Sequence, residues 1–219
     1  MTDDVENRRP IAARNTGPAQ RVARALAATG VSANGISVAS VMFAALAAAA
    51  FLLAGPLGPM VLFVVPVAVA LRLAANLFDG MVAVEHGKGT ATGPLYNEVP
   101  DRIADVLVLA AMGSASGALG SGLVASLGPG LGWLAAVLAL LTAYVRELGR
   151  ALGQPADFSG PLAKQQRMWV AGGAALITAF EGAWGGAGEV LFAGLVVLVV
   201  GTGVTVARRL KRLAGALGA

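Results

Sequence analysis

The sequence predicts an all-α, polytopic membrane protein with six transmembrane helices and an N-terminal interfacial amphipathic helix, and three observations carry that expectation. Of its 219 residues, 57% are hydrophobic and only 13% charged, and the mean hydropathy is +0.74, more apolar surface than one soluble core conceals. Apolar tracts of about 18 to 20 residues recur, the length a helix needs to cross roughly 30 Å of hydrocarbon. Lys and Arg fall in alternate connections between those tracts.

The first 30 residues are charged and polar and hold no long apolar core, so no cleavable signal is expected there. Within them, residues 17–29 set Arg21 and Arg24 among Val22, Ala23, Ala25, Leu26 and Ala27, a pattern suited to lying on a membrane surface. A solvated linker is the alternative. Span 1 is expected over 35–54, opened by VSANGIS and closed by Gly55-Pro56; span 2 over 59–84; span 3 over 94–117; span 4 over 130–150; span 5 over 165–181; span 6 over 187–207. The organisation is then a cytoplasmic segment with a surface helix (1–30), a six-helix transmembrane domain (31–210) and a short cytoplasmic tail (211–219).

The basic residues fix the orientation. The connections expected outside, around 55–58, 118–129 and 182–186, hold no Lys or Arg, and of the sixteen basic residues only Arg72 lies within a span away from its cytoplasmic end. Both termini, and any site at the inner ends of the spans, are therefore expected to be cytoplasmic, in a bacterial inner membrane. The net charge of +4 comes from dispersed residues rather than a basic, aromatic-rich module, so the bilayer and not nucleic acid is the expected partner.

Composition also narrows the chemistry. Without cysteine and with one histidine, thiolate chemistry, iron–sulfur clusters and histidine metal sites are excluded. A metal here needs oxygen ligands and would be a hard cation. Such ligands exist in LRLAANLFDGMVAVEHGKGTATGPLYNEVPDRIADV, where ionisable groups enter two spans and are costly unless paired or hydrated. Arg72, Asn76, Asp79, Gly80 and Ala83 share much of one face of span 2; Gly93, Asn97, Asp101 and Asp105 recur every four residues on span 3. A connection of about ten residues makes the two spans antiparallel neighbours, so that the stripes can face each other. Hard oxygen donors next to glycines suit a cation bridging the phosphates of a substrate, and a buried polar network joining two helices is the alternative.

These residues resemble the signature of the CDP-alcohol phosphatidyltransferases, D-x2-D-G-x2-A-R-x8-G-x3-D-x3-D. The chain reads N-x2-D-G-x2-A-V-x8-G-x3-N-x3-D from Asn76 to Asp101, with every interval matching. Ala33-Asn34-Gly35-Ile36-Ser37 likewise resembles the family's P-N-x-x-T entrance to span 1. The resemblance implies six spans, a dimer, and transfer of a phosphatidyl group from a CDP-linked lipid such as CDP-diacylglycerol to a small alcohol, with release of CMP. It also implies divalent ions, Mg2+ or Mn2+, held by Asn76, Asp79, Asn97 and Asp101. Asp101 would be the base for the acceptor hydroxyl, while Gly80 and Ala83, with Gly93 nearby, would line the nucleotide pocket.

The chain departs from the signature at Asn76, Asn97 and Val84, and Glu85, Glu98 and Asp105 lie close enough to compensate for lost charge. A non-catalytic descendant that binds a nucleotide lipid or assembles with a partner is thus a second reading. A solute transporter using Arg72 and Asp105 is a third, without the repeated halves of many transporters. Asp105 reads either as an extra ligand or as the counter-ion of Arg72, and the ion pair is the expectation here. Arg146 and Lys164 are the expected holders of an acceptor or lipid phosphate; Arg150 and Arg167 accompany them as membrane-surface anchors. His86 reads as an interfacial loop residue, and Trp133, Trp169 and Trp184 as anchors near span ends.

Overall fold

The computed structural model describes residues 12–85, 87 and 89–218. Arg8, Arg9, His86 and Lys88, expected to mark topology or a loop, lie outside the described residues. All regular structure among the described residues is helical. After a 3-10 turn (Ala12–Asn15) come α1 (Gly17–Ala28), α2 (Ala33–Leu57), a 3-10 turn (Pro59–Phe63) and α3 (Val64–Glu85). Then follow α4 (Gly93–Leu119), α5 (Gly122–Ala151), α6 (Lys164–Thr178), a 3-10 turn (Glu181–Trp184) and α7 (Glu189–Ala216).

The boundaries have local causes. Ser32 caps α2, its Oγ accepting the Gly35 N–H at 3.1 Å. Pro56 closes α2, and Gly58, at φ 87°, turns the chain into α3. At α7 the cap comes from a distance: the carboxylate of Glu181, 2% exposed, accepts the N–H groups of Gly188 (3.0 Å) and Val190 (2.9 Å).

Among the described residues, five segments are long and apolar enough to cross a membrane: Ala33–Leu57, Pro59–Glu85, Gly93–Leu119, Gly122–Ala151 and Glu189–Ala216. α6 has 15 residues and so measures about 22 Å, short of a full hydrocarbon crossing. Two expected boundaries move substantially. Span 4 begins at Gly122 rather than 130, because GLVASLGP, which reads as a Gly/Pro connection, is held helical by packing against α4. A Cβ on Gly113 would lie 2.7 Å from Gly128 O and from Gly132 Cα, so these helices meet backbone to backbone. Trp133 is consequently well inside α5 rather than at its end, and is 58% exposed. Span 6 continues to Ala216, past the expected 207 and through most of the expected tail.

The interior is built from small side chains and the perimeter from large ones. Ala44, Ala47, Ala54, Ala104, Ala135 and Ala139 are buried, whereas Met42, Leu52, Val67, Leu123, Val197 and Val200 are exposed. That arrangement suits helices that gain from close packing while their surroundings are as apolar as the side chains themselves. α1 lays Ala19 and Ala23 against Met81 on α3, with Arg21 and Arg24 facing outward.

One expectation about topology is corrected. α3 and α4 are not packed neighbours; α2 packs against both, and α3 and α4 face each other across a gap bridged by polar side chains. Long charged groups between them occupy the space that direct helix contact would remove.

Candidate functional site

The gap between α3 and α4 is where the polar stripes meet. Asp79 on α3 is buried, and its Oδ2 accepts a 2.6 Å bond from Ser37 Oγ on α2. One turn deeper, Asn76 donates its Nδ2 to Asp101 Oδ1 on α4 at 3.0 Å, which leaves the amide carbonyl as its donor atom toward a cation. The other Asp101 oxygen, Oδ2, takes the Lys164 ammonium from the first residue of α6, with Arg102 at 3.7 Å. Gly80 and Ala83 sit half-buried on the same helix as Asp79, and Gly93 is half-buried at the start of α4.

Below this lies a fully buried clamp. Asp105 receives Arg72 on Oδ1 at 2.9 Å and Arg167 on Oδ2 at 2.8 Å, which ties α3, α4 and α6 together. Arg72 also donates to Asp101 O at 3.3 Å, and Arg167 to Leu162 O at 3.1 Å. Both oxygens of Asp105 are therefore committed to guanidinium groups. Nε and Nη1 of Arg72 are buried without a hydrogen-bond partner.

Above it, an ion-pair ladder climbs toward the helix ends. Arg102 reaches Glu98 at 3.3 Å, Glu98 meets Arg146 on α5 at 2.5 Å, and Arg146 continues to Glu147 at 2.8 Å. Glu98 thus spends its charge on arginines. Arg146 also stands 5.4 Å from the Phe158 ring centroid and lines a cleft of about 320 Å³ with Gln154, Asp157, Arg209 and Arg212. Asp157, outside the membrane-spanning helices, is pushed up by burial. It is lowered more by the hydroxyl and backbone N–H of Ser159 and by Arg209 and Arg212, and ends below the usual carboxylate range.

The sequence-derived residues separate accordingly. Asn76, Asp79 and Asp101 come together with Lys164, and Arg72 joins Asp105. Lys164 and Arg146, expected as one anion-holding pair, bind different carboxylates a turn apart on α4. Asn97 is exposed one turn from Asp101 and makes no side-chain hydrogen bond to other described residues. Four participants were not singled out as site residues by sequence: Ser37, Thr142, Arg209 and, as a clamp member, Arg167. Thr142 accepts Arg209 through its carbonyl at 2.7 Å and Arg167 through its Oγ1 at 3.4 Å. Only Ser37 had a usable signal, as the hydroxyl of the span-1 entrance pattern.

A pair of divalent ions does not fit this donor set. Among the described residues no three His, Asp or Glu side chains converge as a metal-binding group. Both oxygens of Asp101 already face donors, which leaves Asp79 and the Asn76 carbonyl as hard ligands within the gap. That set fits one hard cation at most.

No protein-family model matches the sequence, and no curated protein matches it. The fold, however, is similar to solved structures. The crystal structure of Mycobacterium tuberculosis phosphatidylinositol phosphate synthase (PgsA1) with CDP-DAG bound superposes with a TM-score of 0.70 at 20% identity, covering 89% of this chain and 92% of that one. The same enzyme in complex with manganese and citrate gives a TM-score of 0.70 at 21% identity, covering 89% and 88%. The chain therefore shares the fold of that synthase over nearly its whole length.

Proposed function

We propose that this chain transfers a phosphatidyl group from a CDP-linked lipid such as CDP-diacylglycerol to an alcohol, releasing CMP, as part of phospholipid synthesis. The observation that carries this reading is the bond from Asn76, one turn from Asp79, to Asp101 across the α3–α4 gap, at the signature spacing, in a fold shared with an enzyme solved with CDP-DAG. In the reaction the acceptor oxygen attacks the lipid-bearing phosphorus, the bridging P–O bond to the nucleotide breaks, and the acceptor proton passes to the Asp101 carboxylate. CMP leaves with the bridging oxygen.

The residues divide the work. Gly80, Ala83 and Gly93 offer backbone without bulky side chains for the nucleotide to approach. A single Mg2+ or Mn2+, held by Asp79 and Asn76, would supply charge neutralisation for the diphosphate. The cleft beside Arg146, with Arg209 and Arg212, suits an acceptor that itself carries a phosphate, consistent with the named activity of the fold neighbour. In this reading the site is cytoplasmic, α6 with its following 3-10 turn makes the sixth crossing, α1 lies on the membrane surface, and the chain is a homodimer.

One feature favours a second reading. Asp101 is engaged by both Lys164 and Asn76, the arrangement of a carboxylate retained for structure in a non-catalytic, nucleotide-lipid-binding descendant. The deciding assay is CMP release from CDP-diacylglycerol by the purified protein over a panel of phosphorylated and free alcohols with Mg2+ or Mn2+. Release that disappears in Asp101→Asn is expected. Binding of CDP-diacylglycerol with no release under any condition would transfer the case to the second reading.

A further inference from the structure

We infer that Lys164 is a built-in cation of this site, its ammonium standing in for one of the divalent ions in neutralising the diphosphate, so that the chain needs no more than one metal ion. The inference rests on the phosphatidyl-transfer reading above and deepens it.

The charge balance of the gap is the first support. Four carboxylates, Asp79, Glu98, Asp101 and Asp105, face four cations, Arg72, Arg102, Lys164 and Arg167. The gap is therefore balanced before any ligand enters. Two dications would bring four positive charges into a partly buried space, where like charges repel far more strongly than in water. The two negative charges of the donor's diphosphate offset one dication, not two.

The available oxygens are the second. Asp105 is saturated by two guanidinium groups, and Asp101 is shared between the Asn76 amide and the Lys164 ammonium. Two positions where carboxylates would bind metal are the amides Asn76 and Asn97, which bring no charge. Of the three carboxylates Asp79, Asp101 and Asp105, Asp79 alone makes no ion pair within 4 Å, one of its oxygens being held by Ser37.

The position of Lys164 is the third. Its side chain is 18% exposed, so the ammonium is neither freely solvated nor sealed away. It is the first residue of the 15-residue helix α6, whose N-terminal N–H groups carry partial positive charge toward the same point. An ammonium has three donors, and Asp101 uses one. The remaining donors can meet phosphate oxygens without displacing the carboxylate that orients the head group. Lys164 thus holds the base and the donor's diphosphate in one contact, the task a bridging metal performs elsewhere.

The test counts ions rather than turnover alone. The full chain, in nanodiscs of phosphatidylcholine and phosphatidylglycerol, is titrated with Mn2+ in the presence of saturating CDP, and bound Mn2+ is read from loss of the free-ion paramagnetic resonance signal. One Mn2+ or none per chain is expected. In EDTA, Lys164→Met should weaken CDP binding by about ten-fold or more, the worth of one charge-assisted bond, while Lys164→Arg should recover part of it. The triple variant Asn76→Asp, Asn97→Asp, Lys164→Met should bind two Mn2+. Two Mn2+ on the unmodified chain, or CDP affinity within two-fold in Lys164→Met, overturns the inference. If CMP release accompanies two bound ions, the inference fails alone; if neither CDP binding nor CMP release occurs, the functional reading fails and takes the inference with it.

Discussion

The buried clamp makes an asymmetric prediction, because one carboxylate serves two arginines. Asp105, Arg72 and Arg167 together carry one excess positive charge, with Arg72 and Asp105 fully buried. Replacing Asp105 with Asn doubles that excess and strips both guanidinium groups of their nearest carboxylate. Breaking a buried pair in this way costs about 3 to 5 kcal/mol. Replacing Arg72 with Met instead cancels the excess, keeps the Arg167 pair at 2.8 Å intact, and removes two nitrogen atoms that are buried without a partner. It should therefore cost less than about 1.5 kcal/mol, comparable to a volume-conserving change in a core. Thermal unfolding of the purified protein in detergent, followed by light scattering, reads the difference. At roughly 2 to 4 °C per kcal/mol for a chain of this size, Asp105→Asn should lower the midpoint by about 6 to 20 °C and Arg72→Met by no more than about 6 °C. The double variant should be milder than Asp105→Asn alone. If Arg72→Met proves the more damaging, the charge count is wrong and Arg72 has a partner that matters more than Asp105.

Three further outcomes follow from features away from the clamp. Gly132→Leu should prevent α4 and α5 from closing, since even a Cβ there would lie 2.7 Å from Gly113 Cα, whereas Gly130→Ala, with nothing within 4 Å, should be tolerated; expression level and thermal midpoint of the two variants compare them directly. Glu181→Gln offers one acceptor oxygen where two are used, so one N–H of the α7 entrance loses its bond, at about 1 to 3 kcal/mol; hydrogen exchange at Gly188 and Val190 should rise, and unchanged protection would refute the cap. Asp157 lies below the usual carboxylate range, so the stability it lends the 152–163 connection is present above the ordinary value near 4 and lost as pH falls through the lowered one. Limited proteolysis of that connection should accelerate in acid for the unmodified chain and show no such dependence in Asp157→Asn.

How much of this was readable from sequence depended on whether the information was local. The starts of α2 and α4 and the end of α3 lie within two residues of expectation, because Ser32, Pro56 and the polar residues flanking the apolar tracts act on their own neighbourhood. The α5 boundary was misplaced for the opposite reason: Gly128, Pro129 and Gly132 look like breakers, yet the glycines are what permits α5 to approach Gly113 and Gly117. In the site, i, i+3 and i, i+4 spacing selected Asn76, Asp79 and Asp101 because they share helical faces. It did not reveal that α2 would separate α3 from α4, nor that Arg167, 62 residues from Asp105, would complete the clamp. Glu181 gave no signal, since a carboxylate before a glycine-rich turn looks like any loop acid until α7 is placed above it.

The clamp under the α3–α4 gap has a consequence for the membrane itself. A polar gap between spanning helices is a funnel cut into an insulating layer, and a funnel with no floor is a leak for protons. The Arg72–Asp105–Arg167 bridge closes this one with groups tied to one another by buried ion pairs, and beneath them Phe51, Leu62, Leu109 and Met112 are buried together in apolar packing. The side chains that set the depth of the polar gap are thus the same ones that keep it from running through the bilayer.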